Sequence, residues 1–180
     1  MPVIYLSPST QEYNEYVTGG NEEYYANLIA DAMIPYLRAS GIDFIRNDPG
    51  GTVSNSIANS NAAGVDFHLA IHSNAAPPNL SGMLRGPDVY YYRDSSRGRN
   101  DAEIIANNMK LIYPLPELVT VVPTTTLAEL RRTAAPAVLV EVAYHDNFED
   151  ATWIINNIEA IGENLALSVA DILGVPFIEP

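Results

Sequence analysis

The sequence predicts an α/β domain: a mixed, mainly parallel sheet of five or six strands flanked by helices on both faces. Three observations predict it. Short apolar runs of strand character alternate along the chain with segments of helical character. One run, A-V-L-V-E-V-A-Y from Ala137 to Tyr144, is apolar but for a single carboxylate, as suits a central strand covered on both sides. The 180 residues are 47% hydrophobic, enough for a core of their own, and nothing divides them into separately folding halves, so a single domain over 1–180 is expected.

The elements follow in order. V-I-Y-L from Val3 is a short buried strand opening at Ser7-Pro8-Ser9 into a loop that runs to Gly19-Gly20. Asn21 is a helix N-cap, with Glu22 and Glu23 in a first turn whose positive dipole end favours carboxylates; Gly41 stops this helix and Pro35 should kink it. Asp43–Arg46 is a second strand, and the Pro49-Gly50-Gly51 turn leads into a helix over about Ser54–Ala63 that Gly64 ends. Strand three lies in F-H-L-A-I-H-S-N-A-A, from Phe67 to Ala76, before the Pro77-Pro78 loop. Val89–Tyr92 is a further strand and Asp101–Ile112 a helix. Leu118–Val122 reads as a weak strand or an extended loop, and the segment from Thr126 to Arg132 as a short helix. After the strand Ala137–Tyr144, apolar positions at helical spacing from Phe148 to Leu173 give one or two helices before Gly174. There is no internal repeat.

Composition narrows the function. A net charge of −13, with one lysine and eight arginines, argues against nucleic acid and anionic membrane surfaces as partners. No apolar run reaches the length of a membrane span, so membrane insertion is not expected, and the N-terminus lacks the pattern of a secretory signal. Cysteine is absent, so a metal would have to be held by His, carboxylate, amide or tyrosine.

In such sheets, ligands sit beyond the carboxyl ends of the strands. The first strand delivers Ser7–Gln11 to that edge, the third His72, and the last Glu141 and then His145, while Glu22 at the start of the first helix can reach the same place. His68 and His72 share a face but stand about 13 Å apart along a strand rising ~3.3 Å per residue, so they do not ligate one ion. His68 reads as a core histidine hydrogen-bonded to a neighbour. His72 and Glu22 could offer a nitrogen and an oxygen to zinc, with Glu141 as proton acceptor, a donor set for metal-assisted amide hydrolysis. A carboxylate paired with Arg131 or Arg132 is the structural alternative for Glu141. Ser73 and Asn74 could orient His72 or hold substrate, or form only a turn. Of Tyr90–Tyr92, one or two, Tyr91 among them, should be exposed beside the site, where an aromatic can stack on a sugar or peptide.

Five motifs in order carry a family resemblance: the strand ending in Ser-Pro-Ser, the acidic helix start Asn21-Glu22-Glu23, I-H-S-N-A from Ile71, R-G-P-D-V-Y-Y-Y from Arg85 and P-A-V-L-V-E-V-A-Y-H-D-N from Pro136. Together they resemble the zinc-dependent N-acetylmuramoyl-L-alanine amidases. The resemblance implies hydrolysis of the amide joining N-acetylmuramic acid to the L-alanine of the peptidoglycan stem. It implies one zinc held by His, Glu and His, and a second glutamate as catalytic base. Glu22 matches the glutamate ligand, with Glu23 as a lesser alternative, His72 the second histidine and Glu141 the base. The first histidine has no counterpart, because Ser7-Pro8-Ser9-Thr10 stands where the family has Asp-Pro-Gly-His. Three resolutions follow: His145 replaces it, Gln11 or Glu12 supplies an oxygen instead, or zinc is lost and the domain binds glycan or a protein partner. A related zinc peptidase acting on the stem is a further alternative. The resemblance also implies an extracellular or cell-wall location, or a sporulation or phage-lysis context, with peptidoglycan as partner; the chain is expected to be a monomer.

Overall fold

A computed structural model describes all of residues 1–180. Six strands, β1 (Val3–Pro8), β2 (Asp43–Arg46), β3 (Phe67–Asn74), β4 (Asp88–Tyr92), β5 (Thr120–Thr124) and β6 (Ala137–Tyr144), form one sheet in the order β2-β1-β3-β6-β4-β5. The first four in that order are parallel; β4 runs antiparallel to β6, and β5 is parallel to β4. The mixed, six-stranded sheet agrees with the expectation, and the weak strand at Leu118–Val122 forms two residues later as β5.

Helices α1 (Glu22–Ala39), α2 (Val53–Ala63), α3 (Ser96–Met109), α4 (Ala128–Arg132), α5 (Phe148–Asn156) and α6 (Ile158–Leu173) complete the fold. Asn21 caps α1 by accepting from the Tyr24 N–H, and α1 continues through Pro35 to Ala39. Thr52 and Asn55 form a reciprocal capping box that starts α2, and Gly64 ends it in the left-handed conformation. α3 starts at Ser96, earlier than expected, because the Ser95 hydroxyl accepts from the Gly98 N–H. The large core joins the sheet to α1, α3, α5 and α6, while a smaller cluster of Ala70, Leu130, Ala137 and Leu139 lies on the α2 and α4 side.

Helices α1 and α6 approach one another closely at Gly162. A Cβ there would lie 2.5 Å from the Ala32 Cβ, 3.0 Å from the Ala32 carbonyl carbon and 3.1 Å from the Ile29 carbonyl oxygen. Alanine favours a helix interior by about 1 kcal/mol over glycine, but here the methyl meets backbone that cannot swing aside. Gly162→Ala is therefore expected to lower stability by about 1–3 kcal/mol, the usual cost of overpacking. Urea unfolding should show a lower midpoint with an unchanged slope; an unchanged midpoint would mean that α1 and α6 slide apart without cost.

Candidate active site

Parallel pairing brings the carboxyl ends of β1, β3 and β6 to one edge, and the reversed direction of β4 adds its amino end. His72 lies opposite Glu141 across β3 and β6, and Asp88 lies opposite Glu141 across β4 and β6. Asp88 was not among the residues singled out from the sequence, because strand direction is not written in a local pattern.

Glu22, the first residue of α1, is buried, and its Oε1 accepts from the Nδ1–H of His72 at 2.8 Å. Its Oε2 accepts from Asn14 Nδ2 at 2.6 Å, and the Ser73 N–H points at Oε1 from 3.4 Å. Burial works to raise the Glu22 pKa, but the His72 hydrogen bond and charge, with Asn14 and Ser9, bring it below the ordinary carboxylate value. Asn14 also donates to Gln11 Oε1 at 2.6 Å, so Gln11 reaches Glu22 only through that amide.

On the far side of His72 stands Glu129, from α4, a second residue that the sequence reading missed. Its Oε1 accepts from His68 Nε2 at 2.8 Å, and its Oε2 lies 3.9 Å from His72 Nε2. The other nitrogen of His68, Nδ1, meets the Ser60 hydroxyl at 2.9 Å, and Tyr5 stacks on the ring. His68 is thus the hydrogen-bonded core histidine expected. A glutamate at the second position of a five-residue helix carries no sequence signal; only its burial beside two imidazoles marks it.

Glu141 forms no ion pair with Arg131 or Arg132, and its Oε2 is buried with no hydrogen-bond partner. Burial pushes its pKa up, the His72 charge opposes, and the Glu22 and Asp88 carboxylates add to the rise, to about 7. Asp88 itself is held by Asn74 Nδ2 at 3.1 Å, Thr120 Oγ1 at 2.6 Å and the Tyr144 hydroxyl at 3.0 Å. This is a carboxyl group poised to exchange protons near neutrality beside a ring of fixed carboxylates.

Two expectations are corrected. His145 does not join Glu22 and His72: β3 bulges between His72 and Asn74, β6 ends at Tyr144, and the displaced imidazole turns its Nδ1 to Ser73, 2.9 Å from Oγ and 3.1 Å from the carbonyl oxygen, with Tyr16 stacked on it. Burial lowers its pKa, against the Glu22 and Asp146 charges and the Ser73 bond. Tyr91 is not exposed beside the site: it shares the core face with Val89, and it is Tyr90 and Tyr92 that face the smaller cluster under α4. Ser73 touches Glu22 and His145, and Asn74 holds Asp88, so both act on the machinery of this edge.

The resemblance implies a three-ligand zinc centre at this edge. Glu22 and His72 are in place, but Gln11 is spent on Asn14, His145 on Ser73, and no three His, Asp or Glu groups are arranged to hold a metal. The residues do not make that centre.

The carboxylates give the chelator-treated protein a defined pH profile. Carboxylates of Glu129 and Glu22, with the Glu141 charge, outweigh burial and raise His72 to about 10, so its contribution to stability is complete below 6.5 and lost as pH rises to about 10. Burial would raise Glu129, but His68 and His72 lower it to about 2, so its contribution is present above 4.5 and lost as pH falls to about 2. Thermal melts are expected to show greatest stability between these limbs; a melting temperature level across the alkaline limb would contradict the His72 assignment.

The model of the N-acetylmuramoyl-L-alanine amidase family matches residues 9–171. Solved structures agree in fold. Cwp6 from Clostridium difficile aligns with a TM-score of 0.84 at 22% identity, over 96% of this chain and 29% of Cwp6, so the chain spans less than a third of that protein. The catalytic domain of CwlV, an N-acetylmuramoyl-L-alanine amidase from Bacillus (Paenibacillus) polymyxa var. colistinus, gives 0.82 at 15% identity, over 98% of this chain and 100% of that domain. The CwlD amidase from Clostridioides difficile, solved with the GerS lipoprotein, gives 0.84 at 13% identity over 97% and 99%. No curated protein matches the sequence.

Proposed function

This chain belongs to the N-acetylmuramoyl-L-alanine amidase family, and from that membership we propose that it hydrolyses the amide between N-acetylmuramic acid and the L-alanine of the peptidoglycan stem. The observation that carries the proposal is Glu141, half-buried in the carboxyl-terminal half of β6, with one buried carboxylate oxygen that has no partner and a pKa raised by burial to about 7. In the family resemblance this is the place of the catalytic base. Glu141 takes a proton from water as the oxygen attacks the lactyl carbonyl carbon. When the carbon–nitrogen bond breaks, the same proton goes to the departing alanine nitrogen, so one water is consumed and Glu141 is restored. Glu22 and Asn14 fix the His72 ring, and positive charge for the developing oxyanion comes from the His72 side of Glu141.

The substrate places the activity at the cell wall or outside the cell, with peptidoglycan as the partner. No helix is long and apolar enough to cross a membrane. A second reading, a domain that binds peptidoglycan or a protein without cutting, is favoured by one observation, the missing third ligand.

The test is mass spectrometry of a defined muramyl-peptide incubated with the protein. Appearance of a free stem peptide with an N-terminal alanine, together with the lactyl carboxylate, identifies the bond. Cleavage inside the stem would instead indicate a peptidase, and intact substrate that co-elutes with the protein would indicate the binding domain.

A further inference from the structure

The proposed hydrolysis uses His72 and the carboxylate on one side of it, Glu22, but gives no task to the second carboxylate, Glu129, buried on the other side. An ionised carboxylate taken out of water is costly unless it is paired, and Glu129 meets no arginine or lysine. Its partners are two imidazoles. Oε1 accepts from His68 Nε2 at 2.8 Å, and the Ser60 hydroxyl, 2.9 Å from His68 Nδ1, holds that ring in turn. Oε2 is thereby left facing His72 Nε2, 3.9 Å away.

That separation is too long for a direct hydrogen bond. Both side chains line a cavity of about 10 Å³ between the carboxyl ends of β1 and β3 and the start of α2, room for one water. Asn47, 6% exposed, lines it too; its Nδ2 donates to the Pro8 carbonyl at 2.8 Å, and its buried Oδ1 has no partner. These three groups complement a single water. His72 Nε2–H is a donor, while Glu129 Oε2 and Asn47 Oδ1 are acceptors, so a water among them accepts one hydrogen bond and donates two. About three such bonds are usual for a buried water, and the amide oxygen gains the donor whose lack would cost free energy.

We propose that Glu129 is a positioning residue, which holds the His72 ring at Nε2 through one water shared with Asn47, opposite the hold of Glu22 on Nδ1. Ser60 and His68 keep the Glu129 carboxylate turned toward that water. An imidazole held at one nitrogen can pivot about that bond; held at both, it keeps one plane. Displacement of a reacting group by about 1 Å costs up to ~100-fold in rate. The consequence for rate rests on the amidase reading, whereas the fixed ring and its water do not.

The first measurement needs no substrate. In protein labelled with ¹⁵N-histidine, the His72 Nε2–H proton is expected as a resolved signal, protected from exchange, with a nuclear Overhauser cross-peak to a long-lived water. Glu129→Gln keeps an acceptor for His68 but turns the group facing His72 from acceptor to donor, so the signal should be lost while the circular dichroism stays that of wild type. Asn47→Ala should lose the cross-peak to water. Either variant with signal and cross-peak intact would overturn the proposal, as would a wild-type spectrum without them, so the wild type decides even if Glu129→Gln fails to fold. The second measurement is turnover of muramyl-peptide. Because Glu129 is buried away from solvent, Glu129→Gln is expected to lower kcat about 10- to 100-fold at unchanged KM; a kcat equal to wild type would overturn the positioning role. If the wild type does not cleave muramyl-peptide, the amidase reading fails, and the ring measurement still decides this inference.

Discussion

Glu141→Gln lowers kcat on muramyl-peptide by about 10²- to 10⁴-fold, the share that a positioned general base supplies, while KM stays near the wild-type value. The exchange is isosteric, and Oε2 makes no hydrogen bond that the amide would break. The folded chain holds the Glu141 proton to about pH 7, above the ordinary 4.5, so ionising this group works against folding as pH rises between those values. The variant is therefore expected to be as stable as wild type at pH 5 and more stable at pH 8, which separates lost chemistry from lost fold. The wild-type kcat should climb tenfold per pH unit below about 7 and level off above it, because only the carboxylate accepts the proton. That limb should vanish in Glu141→Gln. A variant with full activity, or a wild-type profile flat through neutrality, would remove Glu141 from the role of base.

Asp150→Ala is expected to carry the largest cost in stability, about 3–5 kcal/mol, the usual result of leaving buried charged and polar partners uncompensated. Asp150 is fully buried in the first turn of α5. Its Oδ1 accepts from the Tyr113 hydroxyl at 2.5 Å and Arg85 Nε at 3.3 Å, and its Oδ2 accepts from the Gly86 N–H at 2.8 Å and the Tyr144 N–H at 3.1 Å. One carboxylate thus joins the exit of β6, the entry to β4 and the chain after α3. Alanine leaves all four donors unmet, against a total stability of about 5–15 kcal/mol for a typical domain. Asp150→Asn keeps the shape but offers one acceptor oxygen instead of two, and should cost less, about 1–3 kcal/mol. Urea unfolding monitored by the single tryptophan, Trp153, which packs edge-on against Tyr113, reports both. Equal losses for the two variants would mean that the Gly86 and Tyr144 N–H groups find water.

Much of the architecture is legible in the chain because its causes are local. Alternating apolar runs and capped helices specify the elements, and Asn21 capping α1 places Glu22 where the positive end of a helix and the end of a parallel strand meet. The same logic puts His72 and Glu141 at strand ends, and the pairing of β3 with β6 brings them side by side. Five ordered motifs were enough to indicate the family.

Tertiary structure alone decided which groups face one another. His145 has the parity of Glu141, yet a bulge in β3 and the end of β6 turn its ring to Ser73. Tyr91 and its neighbours alternate in the sequence, but which of them is buried depends on how β4 pairs, and β4 enters the sheet antiparallel, carrying Asp88 to Glu141. Glu129 reads as an ordinary charge in a short helix until α4 closes over the sheet and seals it between two histidines. Periodicity and capping act over a few residues and so are written in the chain order. Strand direction, bulges and the meeting of side chains separated by 50 or 61 positions, as in Glu22–His72 and His68–Glu129, are set by the packing of the whole domain.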